Sequence, residues 1–118
     1  MSGIIFFRTR ILDEVVEFYI NRLKMKVWLE QTGCTILKYG GFLLGFCQRE
    51  IEETEGNITL FFQTREDVDR MYSELRDIST TQPKENDVYG IYNFFACDPE
   101  GRSLEFQCFL HPIDHNFE

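Results

Sequence analysis

A chain of 118 residues with 43% hydrophobic and 15% aromatic side chains has the material for a compact core, which excludes a disordered segment. A formal net charge of −8 excludes nucleic acid and anionic membrane surfaces as principal partners, because both would repel it. No apolar run nears the roughly 20 residues of a membrane span and no basic-then-apolar leader opens the sequence, so the expected location is the cytoplasm.

Residues 4–8 (IIFFR) form a short β-type run. The segment ILDEVVEFYINRL follows, with Leu12, Val15, Val16, Tyr19, Ile20 and Leu23 on the stripe of an amphipathic helix. Asp13 and Glu14 near its start and Arg22 and Lys24 near its end suit the helix dipole. Residues 27–31 and 35–39 read as strands, Gly40-Gly41 as a hairpin turn needing positive φ, and residues 42–47 as the returning strand. The acidic stretch QREIEETEG is a solvated connection.

The pattern then restarts. Residues 58–62 form a strand, and TREDVDRMYSEL forms a helix with Thr64 and Asp67 at capping-box spacing and Val68, Met71, Tyr72 and Leu75 as its apolar stripe. Residues 79–84 hold only a short or irregular strand, since Pro83 has no N–H for a ladder. Two strands close the chain, 92–97 and 103–108, around the turn Asp98-Pro99-Glu100-Gly101. A shift of 53 lays the first strand and helix on those of the second half, and a shift of 60 lays Gly41-x-x-Leu44-Gly45-Phe46 on Gly101-x-x-Leu104-Glu105-Phe106. Neither βαβββ half is large enough to close a core by itself, so the two are expected to pack on each other.

Cys34, Cys47, Cys97 and Cys108 show no CxxC pair and no metal-type spacing. They read as four free thiols in apolar surroundings, without a structural disulfide. Glu105 interrupts an apolar strand between Leu104 and Phe106. Alternation turns it either to water or to a cleft, where a carboxylate needs partners.

The two βαβββ halves, Glu17-Phe18-Tyr19 and Leu23-Lys24-Met25 on the first helix, and Asp98-Pro99-Glu100-Gly101 followed by Leu104-Glu105-Phe106 resemble the vicinal oxygen chelate superfamily. That is the glyoxalase, bleomycin-resistance and dioxygenase group. The resemblance implies an α+β fold of two βαβββ modules in a curved mixed sheet, half-barrels around a cleft. Module 1 runs over about residues 1–50 and module 2 over about 57–110, with a tail at 111–118, in a single domain. It also implies a homodimer, because such modules leave open edges and an apolar rim.

In the metal-dependent members, four inward positions hold a divalent ion. Carried onto this sequence, they fall at Ile4, Gly45, Asn57 and Glu105. A single usual ligand remains in that set, so no metal, cofactor or catalytic residue is expected. Alternation instead gathers Glu105, Phe6, Arg8, Asn57, Phe61 and Gln107 as a ligand-binding lining, with Leu43, Cys47, Thr59 and Ser103 on the same side. Glu105 either pairs with Arg8 or accepts a hydrogen bond from a ligand amine or hydroxyl. Cys47 or Ser103 lacks a histidine base on a strand, which argues against acyl transfer. His111, Asp114 and His115 are a weak rival metal set in a mobile or partner-docked tail.

Three functions follow in order of expectation. The first is a metal-free small-molecule-binding protein like the bleomycin-resistance proteins, and the second is a metal-dependent lyase, isomerase or dioxygenase. The third is a degenerate oligomeric copy with a filled cleft. Whether Phe6 and Phe61 line the cleft or fill it separates the first from the third.

Overall fold

The computed structural model describes residues 1–114 and divides the chain into two compact units, Met1–Thr54 and a second that begins at Glu55. Each unit is a four-stranded mixed sheet with one helix on one face, the βαβββ pattern expected from the repeat. No helix among the described residues is long and apolar enough to cross a membrane.

In the first unit the order is β1 (Ile5–Thr9), α1 (Leu12–Asn21), β2 (Lys26–Gln31), β3 (Cys34–Tyr39) and β4 (Phe42–Gln48). The sheet runs β1-β4-β3-β2, with β1 parallel to β4 and the other pairs antiparallel. Helix α1 buries Val15 and Tyr19, and the Tyr19 ring packs 5.0 Å from the ring of Phe46 on β4. Ile11 offers the helix no side-chain cap. Gln48 at the end of β4 supplies one, accepting from the Leu12 N–H at 2.9 Å and donating to the Arg10 carbonyl at 2.7 Å. At the other end Lys24 takes a left-handed φ of 63°, and the Met25 N–H closes back on the Tyr19 carbonyl at 3.1 Å. That six-residue closure ends the helix and drops Leu23 and Met25 into the core.

The β3–β4 register corrects the reading of the cysteines. Cys34 stands directly opposite Cys47, their Cα atoms are 4.1 Å apart, and the two form a disulfide. Opposed residues of antiparallel strands hold their Cβ atoms close enough to bridge. Sequence spacing hid the pair because the hairpin, not a local motif, brings them together. Cys97 and Cys108 are the free thiols.

In the second unit the order is β5 (Asn57–Phe62), α2 (Arg65–Leu75), a 3-10 turn (Arg76–Ile78), β6 (Lys84–Asn86), β7 (Ile91–Cys97) and β8 (Ser103–Phe109). The sheet runs β5-β8-β7-β6, with β5 parallel to β8. Thr64 Oγ1 accepts the Asp67 N–H at 3.2 Å, the capping pair expected from the spacing. Val68, Met71 and Leu75 are buried beneath α2, with the Phe94 and Phe106 rings stacked at 5.0 Å in the same core. The expected strand at 79–84 is displaced: Ser79 makes a single bridge to Ala96, and the strand proper begins at Lys84, just after Pro83. The proline's missing N–H thus falls before the ladder rather than within it.

The turn from β7 to β8 is tighter than its composition suggests. Asp98 Oδ1 accepts the N–H groups of Glu100 at 2.9 Å and Arg102 at 3.0 Å. Arg102, 2% exposed, sends Nη1 to Asp98 Oδ2 at 3.1 Å and to Glu100 Oε1 at 2.9 Å. Gly101 takes the positive φ of 91° that the turn requires.

Candidate functional site

Pleating puts Leu104, Phe106 and Cys108 against α2 and leaves Ser103, Glu105 and Gln107 on the opposite face of β8. On that face Glu105 is only 9% exposed, so it is not a solvent-facing strand position. Its carboxylate is held by neutral donors from two neighbouring strands. Asn57 Nδ2 and Thr59 Oγ1 on β5 donate to Oε1 at 3.0 and 2.9 Å, and Asn93 Nδ2 on β7 donates to Oε2 at 2.7 Å. Ser103 Oγ fixes the Asn57 amide by donating to its Oδ1 at 2.8 Å. A carboxylate has about four acceptor directions, so one at Oε2 remains for a further donor. Thr59 and Asn93, which the sequence reading left out of the binding set or placed only beside it, are thus partners that orient Glu105.

Phe61 and Gln107 stand opposite each other in the β5–β8 register on this same face. Phe61 packs edge-on against Phe109 at 5.7 Å, and Gln107 makes none of the hydrogen bonds around Glu105.

The residues expected on β1 belong to the first unit and build a separate feature there. Phe6 pairs with Gly45 and Arg8 with Cys47 across the parallel β1–β4 ladder. Phe6, Arg8, Cys34, Cys47, Arg49 and Glu53 line a cavity of about 390 Å³. Glu53 reaches back to β1, where its Oε1 accepts the Arg8 N–H at 2.8 Å and lies 4.0 Å from the Arg8 Nε. Arg49 donates its own N–H to the Thr9 carbonyl at 2.8 Å and Nη1 to the Gln48 carbonyl at 2.7 Å. Two guanidinium groups and one carboxylate therefore share the wall with a disulfide.

Phe6 lies flat over Gly45, and a Cβ at position 45 would overlap the ring. Gly45→Ala is therefore expected to drive the Phe6 ring off β4 and to cost about 1–3 kcal/mol. Phe6→Ala in the same chain should recover most of that loss. Urea unfolding of the two single variants and the double variant checks the coupling, and additive losses would refute it.

The donor set does not fit a catalytic divalent ion. Ile4 and Gly45 have no side-chain donor, and the Asn57 oxygen is engaged by Ser103 while its nitrogen faces Glu105. Among the described residues, no three His, Cys, Asp or Glu side chains are grouped to hold a metal. Of the tail set, His111 packs its ring against Phe109 at 5.7 Å, and His115 lies outside the described residues.

A groove of about 530 Å³ on the second unit, lined by Asp69, Tyr72, Arg76, Gln82, Pro83 and Tyr92, was not anticipated. In the sequence Tyr72 reads only as part of the apolar stripe of α2. Tyr92 Oη donates to Asp69 Oδ1 at 2.6 Å beneath the guanidinium of Arg65, 4.6 Å from the ring centre. The hydrogen bond to Asp69, then burial, then the Asp69 charge raise the Tyr92 pKa above its ordinary value of 10.0, with Arg65 opposing. The folded chain holds this proton more tightly than the unfolded one. The bond's contribution is thus complete below pH 10 and is lost as pH rises through the higher folded value. A tyrosine-resolved NMR titration should show Tyr92 ionising late and Asp69→Asn returning it toward the ordinary range. An unchanged midpoint in Asp69→Asn would refute the cause.

No protein-family model and no curated protein matches the sequence. Solved structures do match the fold. A glyoxalase/bleomycin resistance protein/dioxygenase from Nocardioides superposes with a TM-score of 0.77 at 16% identity, covering 100% of this chain and 89% of that one. A glyoxalase/bleomycin resistance protein/dioxygenase family enzyme from Burkholderia phytofirmans gives 0.78 at 17%, covering 91% and 97%. A lactoylglutathione lyase from Agrobacterium tumefaciens gives 0.74 at 17%, covering 91% and 92%. The chain has the glyoxalase/bleomycin-resistance fold expected from its repeat and its closing motif, as two four-stranded mixed sheets and not a closed barrel among the described residues.

Proposed function

We propose that this chain, built on the glyoxalase/bleomycin-resistance fold, is a metal-free small-molecule-binding protein whose polar anchor is Glu105. The carrying observation is a carboxylate 9% exposed, held by three neutral donors and retaining an acceptor direction at Oε2. Such a group is oriented before a ligand arrives, so an amine or hydroxyl that reaches it gains a charge-assisted hydrogen bond without reorganising the wall. Asn57 holds the acid in place and Phe61 and Gln107 extend the same face, while Phe6 and Arg8 are taken as ligand-contacting groups of the first unit's own cavity. Phe6 and Phe61 are 46% and 39% exposed, which supports rings that line a site over rings that fill one. The donor chemistry at positions 4, 45, 57 and 105 favours this reading over a metal-dependent lyase, isomerase or dioxygenase.

A thermal-shift panel of amphipathic amines and alcohols, run on wild type and Glu105→Gln, tests the proposal. Expected are compounds that raise the wild-type melting temperature and lose that effect in Glu105→Gln. Ligands that stabilise both proteins equally would sink the anchor role. A rise with nickel, zinc, manganese or iron(II) that disappears in Glu105→Ala would restore the metal enzyme. The same reading takes the protein as a homodimer. The half-exposed Val27, Trp28 and Leu29 on the edge strand β2 support it, and light scattering at 14.1 kDa would overturn it.

A further inference from the structure

We propose that the Cys34–Cys47 disulfide is an exchange site for anionic low-molecular-weight thiols, with Arg8 and Arg49 drawing the thiolate to it. The inference concerns the first-unit cavity and does not depend on Glu105.

Three features of this cavity carry it. Both cysteines line the 390 Å³ space, so an attacking thiolate has room to approach the sulfurs. The charged groups on the same wall are Arg8, Arg49 and Glu53, two cations against one anion, in a chain whose net charge is −8. The chain's net charge disfavours anions, but the charged side chains lining the disulfide's cavity sum to one positive charge. The strands also remain paired around the bond. The β3–β4 ladder runs from Cys34↔Cys47 to Tyr39↔Phe42, and beyond the bridge the Gln48 N–H bonds the Gly33 carbonyl at 2.8 Å. Opening the disulfide therefore leaves the two sulfurs facing each other, and closing it again is an intramolecular step.

The chemistry balances with the thiol as sole co-reactant. A thiolate RS⁻ attacks Cys34 Sγ, an RS–Sγ bond forms, and the Cys34–Cys47 bond breaks. Its electron pair leaves on Cys47 Sγ as a thiolate. Cys47 is the register partner of Arg8, whose guanidinium shares the cavity wall and favours that charge. Cys47 then either expels RS⁻ and restores the bridge, or a second RS⁻ attacks the sulfur of R. The second course releases RSSR and leaves both cysteines reduced, a two-electron transfer from two thiols to the protein. Cys108 offers no competing site, being 1% exposed with its pKa raised by burial.

The test compares 2-mercaptoethanesulfonate with cysteamine, an anionic and a cationic thiol, at equal thiolate concentration. Disulfide opening is read by acid quench, alkylation and intact-mass spectrometry. The anionic thiol is expected to react about tenfold faster, against the sign of the net charge, and to give a transient adduct of one thiol per chain. Arg8→Gln with Arg49→Gln should erase or invert that preference. If the double variant does not fold, the salt series decides, since the wild-type rate with the anionic thiol must fall as ionic strength rises and that with cysteamine must not. Faster reaction with cysteamine, a preference untouched by the two arginine substitutions, or four free thiols in the air-oxidised, denatured protein would each overturn the proposal.

Discussion

Replacing Arg102 by alanine is expected to remove about 3–5 kcal/mol of stability, the usual result of breaking a buried ion pair from one side. The substitution leaves the carboxylates of Asp98 and Glu100 without the guanidinium that both now contact, at a site where Arg102 is almost wholly enclosed. Against a total of about 5–15 kcal/mol for a domain, that is enough to unfold much of the population. Asp98→Ala should be as severe, since it also deprives the Glu100 and Arg102 N–H groups of their acceptor. Removing the charges together, as Asp98→Asn with Glu100→Gln and Arg102→Met, should cost much less than Arg102→Ala, because no ion is then left buried. Urea unfolding of the three proteins checks the ranking, and a loss below about 1 kcal/mol for Arg102→Ala would mean that water reaches the turn.

Glu105→Ala is expected to lower stability by about 2–4 kcal/mol, because Asn57, Thr59 and Asn93 would each lose an acceptor in a poorly hydrated place. Glu105→Gln should be far milder. The Gln carbonyl can take the place of Oε1 and keep both β5 donors, while its amide replaces Oε2. The Asn93 amide then needs only to turn over so that its oxygen receives the new N–H. Asn93→Leu should cancel that tolerance, making Glu105→Gln costly in its background. Equal losses for the Gln and Ala variants in the wild-type background would show that the negative charge itself, and not hydrogen-bond geometry, holds this face together.

The elements of the fold are readable from period and punctuation. The α1 stripe from Leu12 to Leu23, the Thr64 cap and the alternation through Ser103 to Cys108 each encode a local preference that the tertiary structure leaves in force. Glu105 is readable too, because a carboxylate in apolar text demands an explanation wherever it lands. What was missed depends on register and enclosure. The partnership of Cys34 with Cys47 is a property of two strands aligned by a turn, and spacing rules cover only local pairs. Arg102 beside Asp98-Pro99-Glu100-Gly101 looks like an exposed turn residue until the two carboxylates are seen to converge on it. Tyr72 reads as one more residue of the α2 apolar stripe, and only the fold brings Tyr92 on β7 to Asp69 on α2 beside it. Alternation sets Phe6, Arg8 and Cys47 on one side of their strands but gives no hint that Cys47 is bridged there to Cys34.

The strand order has a consequence for how the chain assembles as it is made. In the second unit β8 lies between β5 and β7 and bonds to both, yet it comes last in the sequence. A nascent chain released only as far as Cys97 therefore holds β5 and β7 with an empty lane between them and nothing for either to pair with across it. The first unit has the same plan, but its inner strand β4 is complete at Gln48. Vectorial synthesis thus lets the ladders of the first sheet pair early and leaves those of the second incomplete until Phe109 is free, when one strand completes two ladders at once. A released chain truncated at Gly101 should accordingly be cut by protease throughout the second unit, and more readily there than over the first.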